Sequence, residues 1–79
     1  MATTFQIAAQ SASGEWIKIG TIQIKNGRGI ADGGVQKFFP AKTKGRENAL
    51  KSAKWLASEG AVSADWHHRS LTIRTAKAA

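Results

Sequence analysis

Residues 40–60, from Pro40 to Gly60, read as one amphipathic helix with a start and a stop written at its ends. Ala49, Leu50, Ala53, Leu56 and Ala57 recur at the spacing of a single helical face. Thr43 suits the N-cap, because its hydroxyl can accept from an unpaired backbone N–H of the first turn. Gly60 suits the position after the helix, where a left-handed backbone is needed. A stripe this narrow is stable only against another layer, and the rest of the chain reads as strands that supply it.

Phe5, Ile7 and Ala9 alternate with Gln6, Ala8 and Gln10, the pattern of a half-buried strand, and Ser11–Gly14 form a turn. Trp16–Lys25 is the longest strand signal. Its phase slips at Gly20-Thr21, so a β-bulge is expected there to keep Ile17, Ile19, Ile22 and Ile24 on one face. Asn26-Gly27-Arg28-Gly29 is a hairpin turn, and a third strand is expected from Ile30 to Phe39 with a second bulge at Asp32-Gly33-Gly34, the alternative being a separate turn there that leaves Ile30-Ala31 a stub. After the helix, Ala61–Asp65 connect to a last strand, Trp66–Thr75, with Leu71 and Ile73 on one face and His68, Ser70, Thr72 and Arg74 on the other. The order is β-β-β-α-β. The fold class is therefore α+β, a small antiparallel β-sheet with one amphipathic helix packed on one face. Residues 1–79 make one small domain, and residues 1–4 and 76–79 are expected to be flexible ends.

The charge is lopsided. Twelve Lys and Arg face five Asp and Glu, a formal net charge of +7, which favours polyanionic partners, nucleic acid first. Three cations, Lys42, Lys44 and Arg46, crowd a helix N-terminus that already carries positive partial charge. That arrangement costs stability unless an anion arrives, and phosphate is the anion such an end can bind. Lys18, Lys25, Arg28, Lys37, Arg69 and Arg74 fall on polar strand positions or turns, where they can decorate the sheet face that the helix leaves open. Trp16 and Trp66 flank these strands and could stack on bases. Trp55 lies at the border of the helical stripe and is the candidate anchor for a protein partner.

Other chemistries find little support. There is no cysteine, which removes disulfides, thiolate metal sites and a Cys nucleophile and points to a cytoplasmic setting. His67 and His68 are adjacent on a strand, so they point to opposite faces and make a poor metal site. Glu15, Asp32, Glu47, Glu59 and Asp65 are scattered, with no pair spaced for acid–base work. No enzyme, cofactor, metal, signal peptide or membrane span is expected.

From about Trp16 to Ser58 the layout is similar to small DNA-binding domains with a three-stranded sheet and a packed helix, as in phage integrase arm-binding and plant AP2-type domains. Such a resemblance implies a sheet lying in the major groove. The run Lys42-Thr43-Lys44-Gly45-Arg46, followed by Ala49, Lys51, Ala53 and Lys54, also resembles the second helix of double-stranded-RNA-binding domains. That likeness implies phosphate contacts for Lys42, Lys44 and Arg46. The family's preceding helix is absent here, and an extra strand follows. The expectation is a non-catalytic protein that binds DNA or RNA. The alternative is a protein-interaction module or inhibitor of phage or mobile-element type, anti-CRISPR proteins being one example. Such a module would bind an acidic host protein or a nucleoprotein complex, and an edge strand could also pair two copies as a homodimer.

Overall fold

The computed structural model describes residues 2–78. They form two layers: a five-stranded antiparallel sheet, and two helices on one of its faces. β1 (Thr3–Gln10), β2 (Trp16–Lys25) and β3 (Arg28–Ala31) form a meander. α1 (Gly33–Phe38) and α2 (Lys44–Glu59) follow, and β4 (Ser63–His68) and β5 (Leu71–Lys77) close the sheet as a hairpin. The strand order is β3-β2-β1-β5-β4, which makes β1 the central strand. The architecture is the α+β arrangement that the periodicities predict, with local differences.

The first difference lies at Asp32. No third strand runs on to Phe39; β3 ends at Ala31 and Asp32 becomes the N-cap of α1. The carboxylate of Asp32 accepts from the Val35 amide at 2.9 Å and from the Thr21 amide at 2.8 Å, and the Thr21 hydroxyl donates to it at 3.2 Å. One side chain therefore starts a helix and ties that helix to β2. The glycines make room for this. A Cβ on Gly20 would collide with the Asp32 carboxylate, and one on Gly34 would collide with the Ile19 carbonyl. The second difference is that the last strand is a hairpin. Arg69 and Ser70, both at φ +52°, make its tight turn, so residues 63–68 pair with residues 71–76. Positive φ at two non-glycine residues carries little signal in composition.

The bulge on β2 falls one residue earlier than expected. Ile7 stands opposite Gly20 and Ala8 opposite Lys18, so Ile19 is the extra residue. Strand pairing extends into both terminal segments. Thr3 and Thr4 pair with Ile24 and Gln23, Ala76 and Lys77 pair with Gln6 and Phe5, and the Ala78 amide donates to the Thr4 carbonyl. Residues 1 and 79 lie outside the described residues.

Alternation sends Phe5, Ile7, Ala9, Ile22, Ile24, Ile73 and Thr75 to the helix side, where they are buried with Val35 and Phe39 of the α1 segment. Ala49, Ala53 and Leu56 of the predicted stripe bury fully; Leu50 packs at the margin, and Ala57 stays exposed. Thr43 caps α2, and Gly60 ends it at φ +73°, as their chemistry requires. At the other end of the core, Gly45 lets the first turn of α2 sit on Phe39 and His68. A Cβ there would lie 2.7 Å from both rings. His68 consequently belongs to the core side, stacked edge-on against Phe39, and not to the face carrying Thr72 and Arg74.

Three outcomes test this account. Asp32→Ala removes the α1 cap and orphans the Thr21 amide; urea unfolding should show a loss of about 1–2 kcal/mol. Hydrogen bonds from Val35, then from Thr21, hold the Asp32 carboxyl below its ordinary value. A depressed carboxyl contributes stability that is full above its unfolded value near ~3.9 and is lost as pH falls through the folded one. Urea melts from about pH 5 downward should therefore show a smaller loss for Asp32→Asn than for the native chain. Gly45→Ala gains up to about 1 kcal/mol of helix propensity. It also overpacks a buried ring, which costs about 1–3 kcal/mol, so a lower Tm is expected.

Candidate nucleic-acid interface

The alternation that fills the core also determines the opposite side of the sheet. Thr4, Gln6, Ala8 and Gln10 of β1 share that side with Trp16, Lys18, Thr21, Gln23 and Lys25 of β2. Arg28 and Ile30 of β3, Asp65 and His67 of β4, and Thr72 and Arg74 of β5 complete it. Both helices pack on the other side, so no helix or strand among the described residues covers this surface.

Its centre is a row of linked side chains. Arg74 donates from Nε to Asp65 Oδ1 at 2.8 Å and from Nη2 to Oδ2 at 3.0 Å. The same guanidinium lies over the Trp16 ring, 4.2 Å from its centroid. Arg74 and Trp16 sit on strands that flank β1, and the small Ala8 opposite Arg74 lets them meet above it. Asp65 is held below the usual carboxylate range, chiefly by the Arg74 hydrogen bonds. It is the one carboxylate that the strands present on this side. The row is therefore close to neutral and fixes the orientation of Trp16.

The uncompensated charge lies towards β3. Lys25 and Arg28 are direct cross-strand partners flanking the Asn26-Gly27 turn, and with Ile30 they border a shallow concavity. Like charges placed opposite each other destabilise a strand pair. Among the described residues the one ion pair is Asp65–Arg74, so neither cation has a carboxylate beside it. Lys18 stands further along β2, opposite Ala8.

The remaining predicted cations lie elsewhere, so the nine do not form one surface. Lys37 ends α1, Lys42 sits in the turn before α2 at φ +63°, and Lys44 opens α2. All three belong to the helix layer. Arg69 occupies the β4–β5 turn, next to His68, which contacts the first turn of α2. Arg46 points back. Its Nε donates to the Phe39 carbonyl at 2.6 Å and its Nη2 to the Gln36 carbonyl at 3.4 Å, so it satisfies the C-terminal end of α1. Trp66 is not on the open face either. It packs 5.5 Å from the Phe39 ring, and its Nε1 donates to the buried Thr75 hydroxyl at 3.0 Å. Trp55 is 52% exposed on α2.

Sequence reasoning missed three features. One is the capping role of Asp32, whose signal was the Asp32-Gly33-Gly34 run inside a stretch read as a strand. Another is Arg46, whose partners are carbonyls that no pattern announces. The third is the exposure of Ile17 and Phe38 on the helix side of the sheet. Among the described residues no three His, Cys, Asp or Glu side chains are grouped to hold a metal ion, and no helix is long and apolar enough to cross a membrane. No family model, curated protein or solved structure matches this chain.

Proposed function

We propose that this protein binds nucleic acid without catalysis, through the open face of its sheet. The observation that carries the reading is the Lys25–Arg28 pair: two cations held directly opposite each other, with no carboxylate beside them. A phosphate between them would remove the cross-strand repulsion and gain two charge-assisted contacts. Lys18 extends the positive edge along β2. Gln23, Thr4 and Gln6 lead along the open face from the pair, and Gln10 and Thr72 lie at the Lys18 end, all donors and acceptors suited to sugar and base edges. Trp16, already oriented by Arg74, offers an aromatic surface at the Lys18 end of β2. Lys42 and Lys44 would serve as a second, peripheral phosphate contact on the helix layer.

Titration of duplex DNA, single-stranded DNA and duplex RNA across a salt series tests this. Affinity should fall linearly on a log–log scale, by about 0.9 for each phosphate neutralised on duplex DNA. Lys25→Glu/Arg28→Glu should keep the fold by circular dichroism, weaken binding and lower that slope by about 2, roughly one per contact. Asp65→Asn, which removes the carboxylate from the face, should strengthen binding. Unchanged affinity and slope in the folded double variant would refute the sheet-face reading.

A further inference from the structure

The outer edge of β2 is only half occupied. β3 pairs with Ile22–Lys25, and Asp32 takes the Thr21 backbone. Upstream, Trp16, Ile17 and Lys18 have β1 on one side and, among the described residues, no strand on the other. An edge of this kind presents backbone donors and acceptors at the spacing of another strand. Beside it lies a groove of about 510 Å³ whose floor is apolar, formed by Ala9, Ile17, Ile19, Phe38 and Leu71. Ile17 is 57% exposed and Phe38 40%, although Ile17 shares a sheet face with the buried Ala9. No residue of α2 lines this groove, so α1 alone borders it on the helix side.

The chemistry at the rim is one-sided. The charged groups lining the groove are Lys18 and Lys37, with no carboxylate among them. Register puts Lys18 opposite Ala8, on the open side of the sheet, while Lys37 stands on α1 at the helix side. A second copy docked here would bring lysines against lysines in a chain of net charge +7. A phosphate backbone would meet an apolar floor. We propose that the free edge of β2 and this groove dock a short extended peptide that alternates acidic with apolar residues. Added as a strand beside Trp16–Lys18, such a peptide places its apolar side chains between Ile17 and Phe38. Alternation then turns its carboxylates to the side of Lys18, and an acidic residue at its end reaches Lys37. The site is separate from the Lys25–Arg28 pair and does not depend on the nucleic-acid reading.

The test is an NMR titration of the ¹⁵N-labelled protein with a synthetic peptide of about eight residues, ordinary strand length, alternating glutamate with leucine and phenylalanine. Shifts should centre on residues 16–19 and 34–38, and the amides of Trp16–Lys18 should become protected from exchange. A peptide with lysine in place of glutamate should bind at least roughly tenfold more weakly, as should the Lys37→Glu protein. Ile17→Glu, which puts a charge on the apolar floor, should abolish binding. If that variant does not fold, a peptide methylated at alternate backbone nitrogens decides the point on the native protein, because it cannot complete the strand pairing. Equal binding by the methylated or the lysine peptide overturns the proposal. So do shifts confined to the open face or to Trp55, or concentration-dependent self-association at residues 16–19 without peptide. Lys25→Glu/Arg28→Glu should leave peptide affinity unchanged, so failure here and failure of nucleic-acid binding are read separately.

Discussion

One carboxylate holds the two layers in register. Asp32 accepts from the backbone of β2 and from the first turn of α1 at once, on an atom spacing that only glycine at positions 20 and 34 permits. Because α1 is seated on the bulge, Phe39 lands in the core. Phe39 then presents its ring to Trp66 and His68 and its carbonyl to Arg46. α2 takes its direction from that point. Gly45 rests on the same Phe39 ring, and the buried stripe of α2 runs on from there across the strands. A short polar contact at the sheet's edge thus precedes the apolar packing in the geometric logic, although burial supplies most of the stabilisation.

The parts legible from sequence were those with a period. Strand alternation in Phe5-Gln6-Ile7 and the 3.6-residue stripe of Ala49, Ala53 and Leu56 each report directly on which side is dry. Caps with a dedicated chemistry, Thr43 and Gly60, were equally plain. The parts that were not legible depend on contacts distant in sequence. Asp-Gly-Gly is compatible with a bulge, a turn or a helix start, and the Thr21 backbone eleven residues earlier decides among them. Arg69-Ser70 adopts a tight hairpin turn without Asn or Gly, since the pairing of β4 with β5 supplies what the local chain does not prefer.

The candidate site shows the same division. Which cations share the open face followed from alternation for Lys18, Lys25, Arg28 and Arg74. By sequence position Arg46 groups with Lys42 and Lys44 as a phosphate contact at the helix start, yet its guanidinium is spent on the carbonyls that end α1. A basic residue near a helix N-terminus can therefore serve the preceding element and leave the anion-binding end to its neighbours. Arg74 is likewise divided between Asp65 and Trp16, which makes it a strut that stiffens the face more than a free charge on it.

The central position of β1 has a consequence for how the chain comes to be folded. One edge of that strand is satisfied within the first 25 residues, by β2, but the other is satisfied by residues 72–77. During synthesis a partly made chain would carry a meander whose best apolar strand is open along one side until the final hairpin has been translated. Pairings so distant in sequence close slowly and leave aggregation-prone edges exposed meanwhile. The tight Arg69-Ser70 turn shortens that interval, because β4 and β5 can zip together locally and arrive at β1 as one prepaired unit.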